Sequence, residues 1–293
     1  MTPTIEIDRL TKRYGEMTAV DNLTIRIPKG SVCGLLGPNG AGKTTTFKCM
    51  LGIAPVSWGM VRFDGVHLAP QTFERLAYVP ETSMLYEWMT GAEHLEVVRR
   101  SYARYDSARA AELTALFGLD PRKKVGALSK GQRTALMLVL AFCTRPEILV
   151  LDEPASGLDP EHQRSVLDLV IDAAAGGATV IFSSHQITQV ERAADQLAII
   201  KGGRLILEGD LDSLKSSERI VEAIFEQPPT LNGVANDPRV RRIEQSGRVV
   251  RVHVRHDSEG FARVLASLGS KRVEILDQSL EELYLSAVAS TVG

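Results

Sequence analysis

The sequence predicts an α/β chain: a mixed, largely parallel sheet core carrying an antiparallel subdomain and a helical subdomain, followed by a small C-terminal α+β domain. Three observations predict it. Short, wholly apolar runs at 32–36, 148–151 and 179–182 suit central parallel strands covered on both faces. Between them, from 88 to 142, apolar residues recur at three- and four-residue intervals, the helical period. Beyond a boundary near 212–217 the pattern returns to short alternating runs with a last amphipathic helix.

The elements follow in order. Residues 4–36 alternate polar and apolar positions, as in Ile5 and Ile7, then Leu23, Ile25 and Ile27; this reads as strands of a partly antiparallel sheet. The run at 32–36 enters Gly37-Pro38-Asn39-Gly40-Ala41-Gly42-Lys43-Thr44, and a helix-compatible stretch follows at 45–51. Residues 94–98 and 110–117 carry helical apolar stripes. Lys201-Gly202-Gly203-Arg204 reads as a hairpin turn between runs at 197–200 and 205–207. In the tail, 220–225 and 248–255 read as strands, the latter with Val250, Val252 and Val254 on one face. Phe261, Val264, Leu265 and Leu268 form a helical stripe. Ser279-Leu280-Glu281-Glu282 is a capping box that opens a last helix with Leu280, Leu283, Tyr284 and Ala287 inward. Pro228, Pro229, Asn232, Gly233 and Pro238 mark a loop. The expected domains are 1–215, with a helical part at about 84–145, and 216–293.

Bulk properties narrow the class. The chain has 293 residues and a formal net charge of −2, with no block of like charge suggesting a nucleic-acid arm. Cys33, Cys49 and Cys143 are widely spaced in apolar surroundings, which suits buried thiols in a reducing compartment. Residues 1–10 lack the apolar core of a signal peptide, and the longest apolar run, 135–143, is too short to span a bilayer. Work at a membrane is therefore expected to go through another chain.

The glycine-rich turn carries the first chemistry. Two glycines with four residues between them, Gly37 and Gly42, followed by Lys and a hydroxyl residue, between strand and helix, fit the phosphate-binding loop pattern. Glycines let backbone N–H groups turn onto a polyphosphate, and the new helix adds its positive end. Lys43 would reach the β- and γ-phosphates, and Thr44 would ligate Mg²⁺. Far downstream, Asp152 and Glu153 end a buried strand, where their carboxylates would project toward those phosphates. Asp152 would hold Mg²⁺ through its water shell, and Glu153 would polarise the attacking water.

Leu128-Ser129-Lys130-Gly131-Gln132 and Ile148-Leu149-Val150-Leu151-Asp152-Glu153-Pro154 give the chain a wider likeness. Together with the phosphate loop they resemble the ATP-binding subunit of an ABC transporter, over roughly residues 4–215. The resemblance implies a P-loop ABC ATPase domain that binds ATP and Mg²⁺. It places Gly37, Asn39, Gly40, Gly42, Lys43, Thr44 and Thr45 around the phosphates and Tyr14 on the adenine ring. It makes His185, after Ser183-Ser184, a contact to the γ-phosphate. Ser129, Gly131 and Gln132 of one subunit would close on ATP held by another, and Asp159 of Ser156-Gly157-Leu158-Asp159 would link the two sites. Two sites then form only in a head-to-tail dimer, of two copies or of this chain with a relative.

Two residues depart from the family pattern. Lys130 stands where Gly is commonest, at a position expected to face outward. Glu81, in Tyr78-Val79-Pro80-Glu81, stands where Gln is usual; it can give the metal an oxygen but, when ionised, has no donor for water. Two expectations stand side by side: slower turnover or firmer Mg²⁺ binding, or a tolerated substitution with no effect. The adjacent Met84-Leu85-Tyr86-Glu87-Trp88-Met89 reads either as ordinary core or, by resemblance, as a groove that receives a helix of a separately encoded transmembrane permease. A single nucleotide domain with a small appendage resembles the exporter-type (ABC-2-like) branch. The expected protein is cytoplasmic, peripheral on the inner face of the cell membrane through its partner, with no nucleic-acid ligand. The alternative is a soluble, non-transport ABC ATPase acting on a macromolecular complex.

Overall fold

Alternation in the first thirty residues becomes a hairpin in the computed structural model, which describes residues 4–231 and 233–289, leaving Asn232 of the predicted loop outside the described residues. Strands β1 (Ile5–Tyr14) and β2 (Met17–Ile27) pair antiparallel, and their inward residues Ile5, Ile7, Leu23, Ile25 and Ile27 are fully buried. Strand β3 (Val32–Leu36) belongs to a different sheet and runs into the glycine-rich loop and helix α1 (Lys43–Met50). Strands β4 (Trp58–Phe63) and β5 (Val66–His67) complete the antiparallel sheet in the order β2-β1-β4-β5. Helix α2 (Pro70–Phe73) and strand β6 (Leu76–Val79) lead to three helices, α3 (Gly91–Ser101), α4 (Ser107–Leu116) and α5 (Lys130–Phe142).

Next come β7 (Ile148–Asp152), α6 (Pro160–Ala175), β8 (Thr179–Ser184), α7 (Ile187–Ala193), β9 (Gln196–Lys201) and β10 (Arg204–Asp210). The second sheet has the order β10-β9-β3-β8-β7-β6. Its pairs β9-β3, β3-β8, β8-β7 and β7-β6 are parallel, and β3, β7 and β8 are buried along their whole length. Both faces of these strands are covered, which is why their sequences read as unbroken apolar runs.

Helix α1 is held between the two sheets. Phe47, Cys49 and Met50 pack with Ile5, Ile25 and Ile27 on one side and with Ile148, Val150 and Ile181 on the other. Phe47 is fully buried, so truncating it to Ala would cost about 3–5 kcal/mol. The loop that opens α1 is thereby fixed to the core.

The described residues up to Glu208 form one compact unit and those from Gly209 onward a second. The second contains α8 (Leu211–Ser217), β11 (Arg219–Phe225), β12 (Val240–Ser246), β13 (Val249–Val254), α9 (Ser258–Ser267), β14 (Ser270–Asp277) and α10 (Leu280–Ala289). Its antiparallel sheet has the order β12-β13-β11-β14. Val250, Val252 and Val254 share one core with Phe261 and Leu265 of α9, while Leu268 of the predicted stripe is exposed. The Ser279–Glu282 capping box forms in both directions. No described helix is long and apolar enough to cross a membrane.

Candidate nucleotide site

The parallel strands end on one side of the sheet, and their ends build the site. The loop after β3 and the start of α1 line a cavity of about 480 Å³ with Asn39, Gly40, Gly42, Lys43, Thr44 and Thr45. Glu81 and Glu153 line the same cavity from the ends of β6 and β7, and Met17 and Ala19 from the β2 end. Gly42 caps α1 at φ 104°, and a Cβ there would lie 2.6 Å from the Ala19 carbonyl oxygen, so only glycine fits. The helix points its unpaired N–H groups and positive end into the cavity.

Lys43 is buried, and its ammonium donates to the Gly37 carbonyl at 2.7 Å and lies 3.2 Å from Glu153 Oε1. Asp152 is 1 % exposed. Burial pushes its carboxyl above the usual carboxylate range, helped by the neighbouring Glu153 charge and opposed by the Ser183 and Thr44 hydroxyls and by Lys43. Its Oδ1 accepts from Ser183 Oγ at 2.6 Å, while its buried Oδ2 has no hydrogen-bond partner. The same Ser183 oxygen accepts from the Glu153 N–H at 2.9 Å. One hydroxyl thus ties both acids to β8.

Glu153 stands at φ 49°, a left-handed conformation that costs a non-glycine residue about 1–3 kcal/mol. The turn lifts its carboxylate off the strand toward the cavity. Its Oε2 accepts from His185 Nδ1 at 2.9 Å, which puts the Nδ1 proton between them and leaves Nε2 for another partner. His185 is half exposed and does not itself line the cavity, which it reaches through Glu153. The arrangement offers amide donors and a lysine for a polyphosphate. It also offers a carboxylate held by a lysine and an imidazole, suited to polarising water.

Several expected residues stand outside this cavity. Tyr14 ends β1 half exposed, with Lys12 Nζ 4.6 Å from its ring centroid; Met17, its β2 partner, is the side chain that lines the cavity. Ser129 caps α5 and forms a capping box with Gln132. A Cβ on Gly131 would meet the Gly157 carbonyl oxygen at 2.6 Å, so the helix start is fitted to the loop before α6. Lys130 is exposed, as expected, with its stem along Gly157. Asp159 caps α6, accepting from the Glu161 and His162 N–H groups and from His162 Nδ1 at 2.6 Å. The His162 N–H, more than any other group, holds its carboxyl below the usual range.

Sequence reasoning did not single out Ser183 or Met17. The signal for Ser183 was present: a strand apolar through Phe182 ends in two serines, both fully buried. Beside the cavity, Ala77, Tyr78, Pro80, Met84, Leu85 and Met137 help line an apolar groove of about 260 Å³. Met84, Tyr86 and Trp88 are exposed and Met89 is buried, so the segment is mostly surface, not core.

A phosphate-binding loop on a parallel sheet, with paired acids at the end of β7, two strands away across β8, defines a nucleoside-triphosphate hydrolase. The ABC transporter family model matches residues 20–156. The daunorubicin resistance ATP-binding protein DrrA3 of Streptomyces coeruleorubidus is 32 % identical over 97 % of this chain and 94 % of its own length. The Nod factor export ATP-binding protein I of Cupriavidus pinatubonensis is 31 % identical over 97 % and 90 %. A solved ATP-binding subunit of an ABC transporter superposes with a TM-score of 0.66 at 30 % identity, covering 73 % of this chain and 92 % of that one. The chain belongs to the ABC transporter family. It is an ATP-binding and ATP-hydrolysing subunit of a transporter that works with a membrane subunit.

Proposed function

We propose that this chain drives export, through a permease carried on a separate chain, by closing head to tail with a second ATP-binding subunit around two ATP molecules. The observation that carries the reading is the division of the site. The cavity holding Lys43, Glu81 and Glu153 contains none of Ser129, Gly131, Gln132 or Asp159. Those four present a helix start and a loop that a second subunit's nucleotide would complete. The drug-resistance and Nod factor export relatives favour export as the direction. We assign ATP binding to about residues 1–215, with the helical part at 84–145, and leave 216–293 as a separate domain.

Within each half, the loop amides from Gly37 to Thr45 and the Lys43 ammonium take the phosphates, and Tyr14 offers its face to the adenine. The oxygen donors fit Mg²⁺: Asp152 Oδ2 is a buried acceptor with no partner, Thr44 stands beside it, and Glu81 lines the same cavity. Among the described residues no three His, Cys, Asp or Glu side chains would hold an ion alone, which suits a metal that arrives with the phosphates. Bound there, Mg²⁺ would neutralise charge on the β- and γ-phosphates. Glu153, fixed by Ser183 and His185, orients and polarises the attacking water, and His185 keeps Nε2 for the γ-phosphate.

The apolar groove below Glu81, with exposed Met84, Tyr86 and Trp88 at its edge, suits a helix of the permease. The subunit would then sit on the inner face of the cell membrane through that partner. Pull-down of the tagged chain from detergent-solubilised membranes tests this. A stoichiometric polytopic membrane protein that is lost with Met84→Glu supports the reading, and recovery without any membrane protein overturns it.

A further inference from the structure

The C-terminal sheet has two unlike faces. Val250, Val252 and Val254 of β13 pack on α9, whereas His253 takes the opposite face, paired in register with Ile220 of β11 and Arg242 of β12. There the residues entering α10 and its first turns close a cavity of about 230 Å³. Two of its lining side chains are more than nine-tenths buried, His253 at 5 % exposed and Gln278 at 2 %. His253 Nε2 and Gln278 Oε1 both lack a hydrogen-bond partner. A buried polar group left unpaired costs about 1–3 kcal/mol, so two in one cavity point to a partner.

The lining decides its chemistry. Of the carboxylates, Glu218 pairs with Arg241, Glu244 with Arg242 at 2.9 Å, and Glu282 accepts from the Ser279 N–H and Oγ. Both guanidiniums are therefore already set against acids, and three acids face two arginines, which disfavours an anion. Gln278 Oε1 can only accept. Glu244 Oε1 lies 3.8 Å from His253 Nε2, too far for a direct bond but close enough to share a donor between them. The unmet demand is for donors beside a negative charge. No three described His, Cys, Asp or Glu side chains would hold a metal.

We propose that this cavity is a binding site for a small protonated amine, whose three N–H donors reach Gln278 Oε1, His253 Nε2 and Glu244 Oε1. Leu285 supplies an apolar wall for a short alkyl chain. The cavity volume limits the ligand to about ten heavy atoms or fewer, below the size of ordinary drug pockets. The site lies wholly within residues 209–293 and does not depend on the transport reading.

The test is a titration of the full chain, ¹⁵N-labelled at histidine, with propylamine at neutral pH, against propanol and propionate as controls. The His253 ring signals, identified by their loss in His253→Gln, shift saturably with propylamine and with neither control. Gln278→Leu and the surface variant Glu244→Gln each weaken binding roughly tenfold, as expected for one hydrogen bond to a charged donor. The proposal is overturned if propylamine leaves the signals in place, which would mean ordered water only. It is equally overturned if propanol or propionate shifts them as far, or if both variants bind like the parent.

Discussion

Replacing Ser183 by Ala removes one oxygen that ties both Asp152 and Glu153 to β8. The hydroxyl is fully buried, donating to Asp152 Oδ1 at 2.6 Å and accepting from the Glu153 N–H at 2.9 Å. A bond to a charged group is worth about 1.5–3 kcal/mol, and a buried N–H left unpaired costs about 1–3 kcal/mol. The vacated space is smaller than one water needs, so the loss is about 3 kcal/mol. For a unit of 208 residues, at about 2–4 °C per kcal/mol, the melting midpoint falls roughly 6–12 °C. Catalysis suffers separately. The left-handed turn at Glu153 loses its anchor, and a misplacement of that kind costs roughly 10- to 100-fold in turnover. Nucleotide affinity, set by the loop before α1, stays within about twofold, because Ser183 touches none of that loop's amides. ATPase kinetics, nucleotide titration and a thermal melt read all three, with Ser183→Thr keeping the hydroxyl as a control. An Ala variant that melts and hydrolyses like the parent would refute the bridge, and so would a loss of affinity equal to the loss of turnover.

Two further variants probe the acids. Asp152→Asn abolishes hydrolysis but stabilises the nucleotide-free chain. The sign follows from its raised carboxyl pKa: above that value the native chain holds a buried charge that the unfolded chain hydrates, so the cost is largest on the alkaline side of the transition. It vanishes as pH falls below the ordinary value of 3.8, where both states hold the proton, so melts across acid to neutral pH should show the two chains converging. Glu81→Gln supplies an amide donor to the water and removes a charge from the cavity. Turnover should rise and half-maximal activity should require more Mg²⁺; unchanged rate and Mg²⁺ dependence would remove any role for the carboxylate.

The parts legible in sequence are those whose physics is local. The loop from Gly37 to Thr44 announces itself because strand, glycines, lysine and helix are contiguous. The run at 148–153 does so because a doubly covered strand must be apolar until it ends. What was not legible depends on pairings between distant segments. Ser183 reaches Asp152 only because β8 lies beside β7 in parallel register, and Met17 reaches the cavity only through the β1–β2 hairpin. The positive φ of Glu153 has no compositional mark, since glycine is the residue that usually signals it. In the tail, β12 and β14 escaped notice for another reason. Both are edge strands interrupted by charged residues, Arg241, Arg242 and Glu244 in β12 and Lys271, Arg272 and Glu274 in β14, so neither shows a clean apolar alternation.

The central claim is that one subunit's Ser129–Gln132 segment completes the nucleotide site of another. Light scattering on Glu153→Gln with excess Mg-ATP tests it most directly. The account predicts a mass twice the 32.0 kDa of the chain, returning to that of the single chain when Ser129→Arg is added. A Glu153→Gln protein that binds ATP and remains a single chain would contradict it, as would a dimer that Ser129→Arg leaves intact.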